Sequence, residues 1–300
     1  MARLFDAYVT VDWSASEAKK TGEQSVWIGV AKRDARFHLR SEVHNPATRA
    51  EAAALLRKII ADLRRRGDRI LLGFDFALGY PAGTAQRLGL TGAPWSATWS
   101  FLAKNVVDKP DNTNNRFAVA AKMNRLMTDE GRPFWGAPPR YAQRWLTATK
   151  PAGGYGDVPE FRATETAAIS GKRRPASVWQ LMGAGAVGGQ TILGIPVVGA
   201  LMEEMGETTA VWPFGTGWRT LGPEDVAPLS VLAVEIWPTL YPFKAEAGEP
   251  RDAAQVRGSA EHFARLDEKG ELSALFAPPK EAAPALIRQV EDEEGWILGA

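Results

Sequence analysis

The sequence predicts an α/β protein whose mixed β-sheet is flanked by helices. Three features of the first 76 residues lead to this prediction. The chain opens with short segments rich in β-branched and aromatic residues, which favour strands. A capped helix with apolar residues at helical spacing follows. The run at 69–76 (RILLGFDF) is apolar without alternation, which is typical of a central strand buried on both faces.

The first elements can be assigned in order along the chain. Strands are predicted at 8–13 (YVTVDW), 25–32 and 36–40, which together form a meander. Thr48 and Glu51 fit a capping box, and the helix that they begin ends in basic residues followed by Gly67. Three strands, a helix and a further strand imply a mixed sheet. That order matches the first half of an RNase H-like domain.

The rest of the chain is predicted to be a large, mainly helical insertion and a closing α/β segment. The insertion covers about 80–225, with helices near 95–104 and 115–128 and a strand at 209–214. A strand at 231–237 and helices at 252–269 and about 281–298 close the chain. No segment has the composition of a linker, so we expect one domain over 1–300.

Composition narrows the possible chemistry. The chain has no cysteine and three scattered histidines, which excludes thiolate metal sites and argues against a multi-histidine zinc site. A metal should therefore be Mg²⁺ or Mn²⁺, held by carboxylates. No apolar run approaches the roughly 20 residues that span a bilayer, and the N-terminus does not resemble a signal peptide, so we expect a cytoplasmic protein without membrane association.

The net charge of the chain indicates which kind of nucleic acid or nucleotide it could bind. A protein that grips a nucleic-acid backbone usually carries a clear basic excess, whereas the formal net charge here is +1. We therefore expect a nucleotide or a short, single-stranded or structured nucleic acid rather than a long duplex. The sequence names no protein partner.

Three acidic residues lie inside or at the end of otherwise apolar strands: Asp12, Asp75 and Glu235. A carboxylate is costly to bury unless it is paired or binds a cation. Each residue alone has a structural explanation, since Asp12 and Asp75 could cap turns and Glu235 could pair with a buried arginine. Because ligands bind at the carboxyl ends of strands in open sheets, the three together predict one shared metal site.

A fourth acid is expected from a late helix. Glu293 and Glu294, beside Asp292, are the first candidates, and Asp252 is the second choice. An acidic run near a terminal helix is more often a solvated face, which is the alternative for each of them.

The motifs VDWSAS, GFDFALGYP, SVWQLMGAGAVGGQ, EIWPTLYP and the ending DEEGWILGA make the chain similar to a bacterial family of unknown function described as predicted RNase H-like nucleases. The similarity covers essentially the whole chain. It implies an RNase H-like fold and a divalent-metal site with Asp12 and Asp75 in the first- and fourth-strand acid positions. Glu235 and Glu293 or Glu294 would complete the set, although DEEGWILGA does not settle which acid faces the metals.

Nuclease chemistry would use two metal ions, one to activate the attacking water and one to stabilise the leaving oxygen. It would also need groups that position phosphates. The basic loop and the DNTNNRF segment are the candidates for substrate binding, with a solvated loop and a helix start as the alternatives. These residues are Lys172, Arg173, Arg174, Asn112, Asn115 and Arg116.

Other functions stay open at this point. The segment 183–188 is a literal GxGxxG, but it does not follow a chain-opening strand, which argues against dinucleotide binding. An ATP-dependent enzyme of the related actin and sugar-kinase fold would need glycine directly after Asp12 and Asp75, and neither position has it. A non-catalytic protein that binds a ligand through its Trp-rich insertion is the third reading.

Overall fold

The computed structural model describes residues 3–171, 173–183 and 185–300, and it is an α/β fold with a mixed six-stranded sheet. The strands are β1 (Ala7–Asp12), β2 (Trp27–Arg33), β3 (Leu39–His44), β4 (Ile70–Phe74), β5 (Thr209–Val211) and β6 (Val231–Glu235). Their order across the sheet is β3-β2-β1-β4-β6-β5. The first three strands are antiparallel, whereas β1, β4, β6 and β5 run parallel, so their carboxyl ends meet at one edge.

Helices cover both faces of this sheet. They are α1 (Arg49–Arg65), α2 (Thr84–Arg87), α3 (Pro94–Asn105), α4 (Arg116–Thr128), α5 (Ala163–Ser170), α6 (Gly188–Met205), α7 (Pro223–Val226), α8 (Arg251–Lys269) and α9 (Pro284–Gln289). Alternation along the strands assigns each face to its own core. Val9 and Val11 pack in one core with residues of α1, α3 and α6, whereas Tyr8 packs in the other with Ala260 and Phe263 of α8.

The predicted helices and strands mostly agree with the structure in type, but several of their first or last residues differ. The α/β class, the mixed sheet and its flanking helices are confirmed, and Thr48 caps α1 by accepting a hydrogen bond from the Glu51 amide. The third strand was placed wrongly at 36–40. Asp34 accepts hydrogen bonds there from the Arg36 and His38 amides, which makes a turn and delays the strand to Leu39.

The predicted terminal helix at 281–298 is also wrong in extent. The chain is helical over α9 and then makes a π-type turn over Val290–Glu294. Gly295, with φ of +68°, ends it. The next residues leave the helical path to pair with β6, where the Leu298 amide donates to the Glu235 carbonyl. The predicted strand at 209–214 is limited to β5, and Pro213 has no amide hydrogen with which to continue the ladder.

Among residues 3–171, 173–183 and 185–300, no helix is both long and apolar enough to cross a bilayer.

The helix α8 lies against β1 and β2 at very short range. The Thr10 hydroxyl donates a hydrogen bond to the Val256 carbonyl at 2.6 Å. A Cβ added to Gly29 on β2 would stand 2.7 Å from the Val256 carbonyl carbon, so only glycine fits there. The position of α8, and of every side chain in its first turn, therefore depends on this contact.

We predict that Gly29→Ala lowers the free energy of unfolding by about 1–3 kcal/mol, because backbone rather than a flexible side chain blocks the added methyl group. Urea denaturation measures this. Gly199→Ala on α6 is the matched control. Its added Cβ meets Trp99 at an ordinary 3.5 Å, so the change should raise stability by about 0.5–1 kcal/mol. Equal stability of Gly29→Ala and wild type would show that α8 is not held at this distance.

Candidate functional site

The carboxyl ends of β1 and β4 bring two acidic side chains together. Val11 pairs with Phe74 in the parallel ladder, so the next residues along the two strands, Asp12 and Asp75, are neighbours. The Asp75 amide continues the ladder by donating to the Val11 carbonyl at 3.1 Å. The Trp13 amide donates to Asp75 Oδ1 at 2.7 Å. Backbone geometry therefore fixes both carboxyl groups at the same point of the sheet edge.

The two carboxyl groups interact strongly. Burial, and then the neighbouring Asp75 charge, raise the pKa of Asp12 well above its usual range. Burial also raises the pKa of Asp75 to about 6, against the effect of hydrogen bonds from Asp12 and the Trp13 amide. Two adjacent carboxylates without a counter-charge cannot both ionise at low cost. The pair must share either a proton or a cation.

A third acid comes from the first turn of α8. Asp252 stands one helical turn before Val256, just as Asp12 stands two residues beyond Thr10 on β1. Four residues of helix and two of strand both advance the chain by roughly 6 Å, so the Thr10–Val256 contact brings the two acids to the same level. The Asp252 charge contributes to the raised pKa of both Asp12 and Asp75. One of its oxygens, Oδ2, accepts a hydrogen bond from the Gln24 amide at 2.7 Å.

These acids open into a cleft of about 1010 Å³ between the sheet edge and the segment that joins β4 to β6. Asp12, Asp75 and Asp252 line it from the sheet side. Arg116 and Gln190 line it from the intervening segment. The volume lies at the upper end of the range found for small-molecule and cofactor sites, which is roughly 300–1,000 Å³.

Glu235 reaches the same cleft, but a buried arginine holds its carboxylate. Arg162, one residue before α5, donates from Nη1 to Glu235 Oε2 at 2.7 Å and from Nη2 to Oε1. The same guanidinium bonds Glu165, and the Leu78 amide donates to Glu235 Oε2 at 3.1 Å. The structure thus places Glu235 at the predicted edge, with both oxygens engaged by protein donors.

The late acids are engaged by backbone amides. Glu293 accepts from the amides of Gly83 and Ala85, each at 2.7 Å. Glu294 accepts from the amides of Ala82 and Ala163 at 2.8 and 2.7 Å. Burial raises the pKa of both glutamates.

Their carboxylates tie the π-type turn to the loop before α2 and to the start of α5. Asp292, between Glu291 and Glu293, is exposed. Of the late acids considered from the sequence, Asp252 is the one that the structure brings beside Asp12 and Asp75.

Whether a metal ion fits this site depends on the carboxylates of Asp12, Asp75 and Asp252. Within the part of the chain that the structure describes, no group of three or more His, Cys, Asp or Glu side chains is already arranged around one metal position. The Asp12–Asp75 pair is a concentrated negative charge made of carboxylate oxygens, the donors that Mg²⁺ and Mn²⁺ prefer. Asp252 would have to turn from the Gln24 amide to join them. The pair fits a hard divalent cation as its counter-charge.

The residues predicted to bind substrate differ in where the structure places them. Asn112 donates to the Ala18 carbonyl and accepts from the Arg49 amide, and Asn115 bonds backbone at Val107 and Asn105, so both amide groups serve the fold. Arg173 and Arg174 are exposed, and of these two Arg174 lines the cleft. Lys172 lies outside the described residues. Arg116 lines the cleft and is buried.

Two buried arginines were missed by reasoning from the sequence. Arg49 on α1 donates to the carbonyls of Ser14 and Ser16 and forms an ion pair with Asp108, so it fixes the loop after Asp12. Arg162 joins the β4–β6 segment to Glu235. Their long-range partners could not be read from the sequence, because Ser16 lies 33 positions from Arg49 and Glu235 lies 73 positions from Arg162. For Asp252 a signal existed, since it shares the i, i+4 stripe of α8 with buried Val256 and Ala260.

We predict that the metal-free protein loses stability as pH rises from about 4 through 6 and above. The folded-state pKa values of Asp12 and Asp75 are raised, so the folded state binds more protons than the unfolded state in this interval. Asp12→Asn removes the repulsion and should raise the melting temperature at pH 8 by at least ~3 °C. Thermal melts in chelator at pH 5 to 8 measure this, with Asp62→Asn on α1, a half-exposed residue paired with Arg65, as control. An unchanged pH profile in Asp12→Asn would contradict the charge coupling.

Arg162 should be a major contributor to stability. Arg162→Leu leaves Glu165 and Glu235 buried without their counter-charge, so we expect a loss of about 3–5 kcal/mol in the free energy of unfolding. Arg219, half-exposed and paired with Asp225, is the matched control, and Arg219→Leu should cost less than about 1 kcal/mol. Similar losses in the two variants would mean that the buried triad does not hold the segment to the sheet.

The chain was compared with protein-family models, curated proteins and solved structures. No family model, no curated protein and no solved structure matches the chain. Its function must therefore follow from the chemistry of its own residues: a coupled carboxyl pair, a third acid beside it and a cleft with basic groups on the opposite wall.

Proposed function

We propose that this chain is a metal-dependent phosphoryl-transfer enzyme, a nuclease-like hydrolase of phosphodiesters. The observation that carries the proposal is the coupled pair Asp12–Asp75 at the edge of the sheet, open to a large cleft and joined by Asp252. A buried pair of like charges is destabilising on its own. A site that retains one is expected to use it, and binding of Mg²⁺ or Mn²⁺ relieves the repulsion.

The fold part of the proposal is an RNase H-like domain. Three antiparallel strands, a crossover helix and a fourth strand parallel to the first support it. Asp12 and Asp75 then take the first- and fourth-strand acid positions. Fold does not fix function, so the carboxylates and not the topology carry the enzymatic claim.

The chemistry proposed is two-metal hydrolysis. Held by Asp12 and Asp75, Mg²⁺ or Mn²⁺ would activate the attacking water and stabilise the charge on the leaving oxygen. The chain would hold the metal ions through Asp12 and Asp75 as primary ligands, with Asp252 as the third acid. Glu235, Glu293 and Glu294 support the site through Arg162 and the backbone rather than as ligands. The substrate is a nucleotide or a short nucleic acid, in keeping with a net charge of +1.

We predict that Asp12→Asn and Asp75→Asn each weaken Mn²⁺ binding at least ~10-fold, and that Asp252→Asn weakens it less. Calorimetry at pH 7.5 measures the affinity. Glu293→Gln is the matched control. Backbone amides engage the carboxylate oxygens of Glu293, so this variant should bind Mn²⁺ as wild type does. Loss of binding in Glu293→Gln but not in Asp12→Asn would move the metal to the late acids.

Activity is tested on the same proteins. Labelled single-stranded RNA, single-stranded DNA and an RNA–DNA hybrid are incubated with Mn²⁺ and with Mg²⁺. Cleavage by wild type that is lost in Asp12→Asn and Asp75→Asn supports the nuclease. Metal binding without cleavage of any of the three shifts the proposal to a smaller phosphoryl substrate. Absence of metal binding in wild type would refute the proposal and favour a non-catalytic binding protein.

A further inference from the structure

Arg116 is a buried arginine whose charge the protein does not fully pair. It is only 6% exposed, and its Nε has no hydrogen-bond partner within the described residues. Nη1 donates to Asn114 Oδ1 at 3.0 Å and lies 3.4 Å from Glu17. Glu17 is shared, because it also receives closer hydrogen bonds from Arg140 and Tyr141. Arg116 and Arg140 thus share the single negative charge of Glu17.

The first turn of α6 stands beside this guanidinium. A Cβ added to Gly189 would lie 3.3 Å from Arg116 Cδ and 3.0 Å from the Ala15 Cβ, so the helix start packs directly on both. The first helical amides have no partner within a helix. Gly188 uses the Gln180 carbonyl, whereas the Gly189 and Gln190 amides have no acceptor among the described residues. No side chain caps this helix, and its first turn has no acidic residue.

Arg116 and the residues on either side of Gly189 border the cleft that holds the acids. Arg116, Val187 and Gln190 line it together with Asp12 and Asp75. The Gln190 side chain donates to the Trp13 carbonyl, which ties the start of α6 to the end of β1. Free amides at the start of an 18-residue helix favour an anion, and an arginine fork adds charge and directed donors.

We propose that Arg116 and the Gly189–Gln190 amides form a second phosphate subsite, which rests on the proposed function in that it binds a substrate phosphate other than the one that reacts. Arg116 and Gln190 line the cleft from the segment between β4 and β6, whereas Asp12 and Asp75 line it from the carboxyl ends of β1 and β4. The substrate then carries at least two phosphate groups, as an oligonucleotide or a nucleoside polyphosphate does.

The test uses the full chain with Asp12→Asn and Asp75→Asn and without metal, so that binding does not depend on the metal site. Pyrophosphate is titrated by calorimetry, and the Gly189 and Gln190 amide resonances are followed by NMR. We expect saturable binding with shifts at both amides. Adding Arg116→Gln should weaken binding at least ~10-fold. Arg116→Lys, which keeps the charge but not the fork, should fall between the two.

Arg125→Gln is the matched control, because Arg125 lies on the same helix, over the Trp145 ring and outside the cleft lining. It should bind pyrophosphate as the parent does, and melting curves check that each variant folds.

Thymidine dinucleotides with and without a 5′-phosphate separate the two substrate types. A gain in affinity from the 5′-phosphate that Arg116→Gln abolishes points to oligonucleotides. No pyrophosphate binding by the parent, or equal binding by Arg116→Gln, overturns the subsite. Phosphate binding in a chain that fails to bind Mn²⁺ would leave the subsite standing and refute the metal site alone.

Discussion

The proximity of Asp12 and Asp75 is the constraint on which the rest of the site depends. Their positions follow from the parallel register of β1 and β4, so neither side chain can leave the other without disturbing the centre of the sheet. Burial raises the pKa of both groups, and the Asp75 charge raises that of Asp12 further. The folded protein carries that cost at the edge of a cleft of about 1010 Å³, and a bound cation would turn the repulsion into attraction.

A second set of buried charges holds the opposite wall of the cleft in place. Arg162 joins Glu165 in the β4–β6 segment to Glu235 at the end of β6, and Glu294 accepts from the Ala163 amide beside it. Desolvated ion pairs are poor sources of net stability, but breaking one is costly. Their role here is geometric, because they hold the start of α5 against the end of β6 and against the turn over Val290–Glu294.

The sequence allowed part of this arrangement to be predicted. Asp12 and Asp75 could be found because apolar strands with a terminal acid carry a local pattern, and the sheet brings such ends together. Glu235 has the same pattern, yet its role depends on Arg162, 73 positions earlier, which no spacing rule connects to it. Glu293 and Glu294 were expected to face metals, but loop amides that only the folded chain brings close occupy their oxygens. Asp252 was the second choice although it lies on the buried stripe of α8.

The central claim is that Asp12 and Asp75 hold a divalent cation. A crystal soaked in Mn²⁺ and measured near the manganese absorption edge tests it most directly, because the anomalous signal locates the metal without any assumption about activity. The account predicts a peak within about 2.5 Å of carboxylate oxygens of both Asp12 and Asp75, with Asp252 turned from the Gln24 amide towards it. A peak at Glu293 and Glu294, or no peak at the sheet edge at saturating Mn²⁺, would contradict it.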